Sequence, residues 1–156
     1  MSIQKIAVFP GSFDPITIGH ESIVKRAVPL FDKIIVVVGV NANKNCTFSL
    51  EQRLAWLKET FADFPTIEIA SHHGLTVDFC NQHGANYILR GLRTSADFEF
   101  ERSIGQTNRT LTPTIETVFM LTLAEHSFIT SSIVRDVFVN GGDISQYIPS
   151  SIKITK

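Results

Sequence analysis

The segment PGSFDPITIGH, residues 10–20, follows directly on the apolar run KIAVF and sets two glycines, two prolines and a histidine beside small hydroxyl residues. Gly11 permits close backbone approach, Pro15 stiffens the exit, and TIGH puts Gly19 and His20 at the start of the next helix. A helix start offers unpaired amides and the positive end of a dipole, so it attracts phosphate without a Walker lysine. Neither GxxxxGK nor GxGxxG lies nearby. His20 adds a proton donor aimed at the same anion. In RGLR, Arg90 and Arg93 frame Gly91 directly after an apolar run, and two guanidiniums so placed suit polyphosphate through charge-assisted, bidentate contacts. The alternative for either is an ion pair with Asp97, Glu99 or Glu101. Thr130, Ser131 and Ser132 mark another helix start, a second cluster of amides and hydroxyls that alone reads as an ordinary N-cap. Ser12 alone reads as a turn former, and Lys44, in the polar stretch NANKN, as a solvated lysine.

The elements that must position these groups follow from periodicity. Short runs rich in β-branched residues alternate with stretches of helical period, the pattern of a Rossmann-like, doubly wound α/β domain: a parallel sheet of about five strands with helices on both faces. Strands are expected at Lys5–Phe9, Lys33–Val40, Thr66–Ala70, Asn86–Leu89 and Thr117–Leu121. Ser49 and Gln52 form a capping box at the head of a helix whose Leu50, Leu54, Leu57 and Phe61 share one face. Thr76 is expected to cap a helix that Gly84 ends, a further helix covers Ser95 to about Asn108, and the last runs from near Ser131 to Gly141 and Gly142. In open sheets of this kind the ligand lies beyond the carboxyl ends of the strands, where strand order reverses. The unusual residues do fall just after the expected strands.

Composition bounds the rest. The length suits one domain spanning 1–156, and 44% hydrophobic against 19% charged residues is enough to build a continuous core. A net charge of −1 argues against a surface that neutralises nucleic acid. The longest apolar run, IIVVVGV, is far below the ~18 residues that span a bilayer, so no membrane partner is expected. Cys46 and Cys80 read as free thiols of a cytoplasmic protein. His72 and His73 lack further ligands at metal spacing, so no metal held by the protein itself is expected.

Thr17, Gly19 and His20 form the TxGH version of the (H/T)xGH signature of the nucleotidyltransferase superfamily, and ITSSIVR at 129–135 is similar to its second signature, ISSTxxR. With RGLRTSADFEFE and TNRTL in the same order, the chain resembles the bacterial phosphopantetheine adenylyltransferases over about 130 residues; RGLR followed by DFEFE narrows the likeness to them. The resemblance implies that the phosphate of 4′-phosphopantetheine attacks the α-phosphorus of ATP, giving dephospho-coenzyme A and pyrophosphate in coenzyme A biosynthesis. No covalent intermediate is implied, so the work is alignment and charge stabilisation.

Carried over residue by residue, the resemblance implies catalytic roles for His20, Lys44, Arg90 and Ser12. His20 would stabilise the transition state at the α-phosphate, and Lys44 would match the family's phosphate-bridging lysine. Ser12, where threonine is usual, would hold the acceptor phosphate. The implied ATP set is Gly11, Ser12, Phe13, His20, Arg90, Gly91, Arg93, Asp97, Glu101, Thr130, Ser131 and Ser132, with Arg93 on the β- and γ-phosphates and Glu101 contacting the ribose or ordering the arginines. The implied acceptor set is Ser12, Lys44, Leu75, Thr76, Arg90, Phe100, Asn108 and Asp136; for Leu75 and Phe100 a core position reads nearly as well. Magnesium would arrive with ATP, held by phosphate oxygens and water. A homohexamer built as a dimer of trimers, and feedback by coenzyme A, are further implications. Departures are Phe100 for tyrosine, Asp136 for glutamate, Thr122 for proline and His126 for a larger aromatic near the adenine. Two other readings are a relative with another phosphate acceptor and a non-catalytic sensor of ATP or coenzyme A.

Overall fold

A computed structural model of the chain describes residues 2–156. Its strands are β1 (Ile6–Gly11), β2 (Lys33–Val40), β3 (Ile67–His73), β4 (Tyr87–Leu92) and β5 (Glu116–Leu121), and its helices α1 (Ile18–Ala27), α2 (Leu50–Thr60), α3 (Thr76–His83), α4 (Ser95–Leu111) and α5 (Ser131–Val139). Alternation along the strands decides which face each side chain enters. Ala7, Phe9, Ile34, Val36, Val38 and Leu89 enter one core with Ile23 and Val24 of α1, Trp56 and Leu57 of α2 and Val134 of α5. Val8, Ile35, Val37 and Ile88 enter the other, with Val77, Phe79 and Cys80 of α3. Both faces are covered, as apolar strands of a parallel sheet require.

All strand pairs are parallel, and the order is β3-β2-β1-β4-β5. The chain winds outward from β1 to β3, then returns to lay β4 against the free side of β1. Strand order therefore reverses between β1 and β4, and a crevice opens there at the carboxyl ends.

The expected strands are all present, but three run further than their apolar residues suggested. Pairing depends on backbone groups and not on side-chain polarity, so Ser71–His73 continue β3 against Val38–Val40, and Arg90–Leu92 continue β4 against Phe119–Leu121. Gly11 likewise belongs to β1, paired with Val38. Gly11, Arg90 and Gly91 thus stand on strand ends rather than in loops. The Ser49–Gln52 capping box is present, and Gly84 ends α3 with φ 65°. Thr76 does not cap α3: it is the first helical residue, and Leu75, whose side chain makes no capping hydrogen bond, holds the cap position. Helix α4 runs three residues past Asn108, to Leu111.

Candidate active site

Two adjoining clefts occupy the crevice, one of about 350 Å³ and one of about 270 Å³. Pro10, Gly11, Ser12, Arg90 and Glu101 line both. The larger runs from the end of β1 across the first turn of α1 to the first turn of α5; the smaller lies between the end of β1, the start of α3 and the side of α4.

The turn after β1 is built around Phe13, a non-glycine residue at φ 47° whose ring is 2% exposed. That ring lies under Gly11, where a Cβ would stand 3.0–3.3 Å from three of its carbons, and meets the His20 ring edge-on at 5.1 Å. The need for glycine at position 11 comes from this aromatic floor.

Helix α1 starts with a capping box that embeds the histidine itself. The Thr17 hydroxyl accepts from the His20 amide, and the Thr17 amide donates to His20 Nδ1 at 3.0 Å. A backbone N–H only donates, so Nδ1 is unprotonated and the ring proton sits on Nε2. Desolvation, then the charges of Arg90 and Arg93, lower the His20 pKa to about 4. At neutral pH the ring is therefore an uncharged Nε2–H donor lining the larger cleft.

Arg90 reaches across the crevice. Its Nε and one terminal nitrogen donate to Glu101 at 2.8 and 2.6 Å, and its other terminal nitrogen donates to the Pro10 carbonyl at 2.8 Å. Of the five N–H donors of a guanidinium, two remain for a ligand. The ion-pair reading therefore holds for Arg90, and Glu101, buried in the second turn of α4, is what orders it. Arg93 pairs with Asp97 at 3.1 Å on the outer rim. Burial works to raise the Asp97 carboxyl, but hydrogen bonds and charge from Arg93, with the Thr94 amide, outweigh it and hold the group below the usual carboxylate range. Lys44 crosses to the opposite wall, where Nζ donates to Ser12 Oγ at 2.6 Å.

At the start of α5, Thr130 is the N-cap and accepts from the Ile133 amide, while Ser131 donates its hydroxyl to the Pro15 carbonyl at 2.8 Å. Ser132 Oγ accepts from Arg135, which also donates to the Asp14 carbonyl at 2.8 Å. Arg135 lines the larger cleft but was not among the expected site residues. Its signal was the final arginine of ITSSIVR, one helical turn beyond the hydroxyl cluster.

Every residue expected to touch ATP, together with Lys44, lines the larger cleft. Of the acceptor set, Ser12, Thr76, Arg90 and Asn108 line the smaller. Leu75, Phe100 and Asp136 line neither. Leu75 and Phe100 are 53% and 69% exposed, so the core reading fails for both, and Asp136 is exposed on the far side of α5, accepting from Asn140. Thr122 lines the larger cleft. His126 lies behind Gly19, and its buried Nδ1 has no hydrogen-bond partner among the described residues. No group of three His, Cys, Asp or Glu among the described residues is placed to hold a metal, and no helix there is long and apolar enough to cross a membrane.

Comparison with known proteins gives the same picture. The cytidylyltransferase-like family matches residues 8–137. A phosphopantetheine adenylyltransferase of Flavobacterium psychrophilum is 57% identical over 95% of this chain and 97% of its own, and one of Flavobacterium johnsoniae is 53% identical over 96% and 98%. Among solved structures, a bifunctional NMN adenylyltransferase/ADP ribose pyrophosphatase from Francisella tularensis superposes with a TM-score of 0.71 at 20% identity, over 96% of this chain and 46% of that one, a likeness of fold. At such identity over nearly the whole length, with the signature residues gathered at one crevice, the chain belongs to the phosphopantetheine adenylyltransferase family, within the cytidylyltransferase-like proteins.

Proposed function

We propose that the chain transfers the adenylyl group of Mg-ATP to 4′-phosphopantetheine, giving 3′-dephospho-coenzyme A and pyrophosphate. The observation that carries this reading is the pair of clefts meeting at Ser12 and Arg90, the arrangement an in-line transfer between two anions needs. ATP occupies the larger cleft and the acceptor arm the smaller, with Thr76 and Asn108 along it. An oxygen of the acceptor phosphate forms the new bond to the α-phosphorus, the bond from that phosphorus to the bridging oxygen breaks, and pyrophosphate leaves with the electron pair.

Each side chain has a distinct task in this reading. Lys44 and Ser12 hold the acceptor phosphate between them. The Nε2–H of His20 donates to an α-phosphoryl oxygen as charge builds there; being neutral, it stabilises without giving up a proton. The two remaining donors of Arg90 sit between the clefts, and Arg93 with the first turn of α5 takes the leaving group. Arg135 joins the same end. The cleft carboxylates Glu101 and Asp97 are engaged by arginines, so magnesium is brought in as part of the nucleotide, on its phosphate oxygens and water.

We further infer a cytoplasmic homohexamer, a dimer of trimers, that is open to feedback by coenzyme A. Supporting assembly are the apolar side chains left in solvent on α4, β5 and the approach to α5, among them Phe100, Leu121 and Phe128 at 69%, 72% and 61% exposure. Light scattering on the purified protein measures the assembly.

The decisive experiment incubates purified protein with Mg-ATP and 4′-phosphopantetheine and measures pyrophosphate and dephospho-coenzyme A together. They are expected in equal amounts, with no pyrophosphate from nicotinate mononucleotide or glycerol 3-phosphate. Pyrophosphate from another acceptor alone reassigns the substrate. Calorimetric binding of both substrates with no product makes the protein a sensor.

A further inference from the structure

Two charged side chains outside the cleft are almost fully buried, Asp14 at 2% and Arg53 at 5% exposure. Both make their hydrogen bonds to backbone, and Asp14 is also ion-paired with Arg135 at 3.8 Å. The Asp14 carboxylate accepts from the Thr47 and Phe48 amides, each at 2.9 Å. Arg53, on the first turn of α2, donates to the Phe48 carbonyl at 3.2 Å and to the Ser12 carbonyl at 2.8 Å. Phe48 is thus held on its backbone N–H by one residue and on its backbone C=O by the other, and both grips lead back to the turn that carries Ser12.

The segment held this way is the far end of the loop that carries Lys44. That loop leaves β2 after Val40, and residues 41–45 are exposed; their other backbone bonds, Lys44 N–H to the Asn41 carbonyl and Asn43 N–H to the Asn41 side chain, are internal. A lysine stem has wide rotamer freedom, so the 2.6 Å reach of Nζ to Ser12 depends on where the backbone at both ends of the loop is fixed. Buried charges contribute little net stability against apolar replacements. What they supply here is a defined position.

We propose that Asp14 and Arg53 are positioning residues for the transfer: they act through Lys44, holding its loop so that the ammonium group meets Ser12 where the acceptor phosphate binds. The proposal rests on the role assigned to Lys44 above. It also explains why a carboxylate occupies the opening turn beside a site for anions: both its oxygens accept from the loop amides, and Oδ2 lies in addition 3.8 Å from the Arg135 guanidinium, which offsets its charge.

The test compares Asp14→Asn, Arg53→Lys and Lys44→Ala with the two double variants containing Lys44→Ala, in the full-length protein. An asparagine presents an NH2 to one of the two amides and loses that bond. Asp14→Asn is expected to lower kcat about 10- to 100-fold, the scale of a small misplacement of a reacting group, with the KM for ATP within about twofold. Added to Lys44→Ala, it should cost no more than about twofold further, because groups acting in one unit are not additive. Arg53→Lys follows the same pattern to a smaller extent and carries the comparison if Asp14→Asn does not fold. Amide hydrogen exchange over residues 41–48 should quicken in both, with the rest of the sheet unchanged. Full multiplicative loss in the double variants, or normal turnover in the single ones, overturns the proposal while leaving Lys44 in its role. Normal turnover of Lys44→Ala overturns the role of Lys44 and the proposal with it.

Discussion

The protonation state of His20 is the sharpest consequence of the site geometry. The pKa falls from 6.5 to about 4, for desolvation first and then the charges of Arg90 and Arg93. At pH 5.5 a free imidazole is about 90% protonated, whereas His20 should be about 3% protonated. The sign of the effect on stability follows. Between the two values the unfolded chain binds the extra proton and the folded one does not, so this group's share of stability is complete above pH 6.5 and is lost as the pH falls towards 4. At 1.36 kcal/mol per unit the loss approaches about 3 kcal/mol, an upper figure because the ring is partly open to the cleft. The assay is a long-range ¹H–¹⁵N spectrum of histidine-labelled protein from pH 4 to 8, with His20→Gln for assignment. At pH 7 the ring should show a protonated Nε2 and an unprotonated Nδ1, with no titration until well below pH 5. Thermal unfolding of the wild type should lose more stability than His20→Gln over the same range. A midpoint near 6.5 would refute the electrostatic argument, and a proton on Nδ1 the tautomer one.

Other outcomes follow from the same contacts. His20→Ala should lower kcat by about 10² or more with little change in KM for either substrate, the scale of one preorganised donor, as measured by initial rates of pyrophosphate release. Gly11→Ala sets a methyl 3.0–3.3 Å from the buried Phe13 ring, and chemical denaturation should report a loss of about 1–3 kcal/mol, as for an overpacked site. Glu101→Gln replaces a charge-assisted bidentate contact to Arg90 with a weaker one; denaturation should show a loss of about 2 kcal/mol, and kcat/KM for ATP should fall as Arg90 loosens.

Much of the fold was legible because local chemistry and tertiary demand agree. The β-branched run at 34–38 is buried on both faces and forms a strand whatever its neighbours do, and Ser49 with Gln52 caps α2 using only contacts four residues apart or closer. Most residues that line the larger cleft were legible for a related reason: they lie within short signatures, and a short signature keeps its spacing on any scaffold. Where the reading stopped short, the missing information was pairing. Ser71–His73 and Arg90–Leu92 look like loop by composition and are strand because a neighbour supplies the ladder. Leu75 and Phe100 fit a core by residue type and are exposed because one stands at the cap ahead of α3 and the other on the outer side of α4.

By itself, then, the sequence determined the order of elements, the place of the reversal where a crevice must open, and the kinds of group that line it, since each depends on neighbours along the chain. Tertiary structure alone decided what those groups are. A backbone amide makes His20 a neutral donor, Glu101 and the Pro10 carbonyl together settle which partners Arg90 takes, and Asp14 and Arg53 tie a distant loop to the first turn. These are electrostatic and hydrogen-bond properties of groups brought close in space, where a few ångströms and the loss of water set the energy, and no spacing in one dimension encodes them.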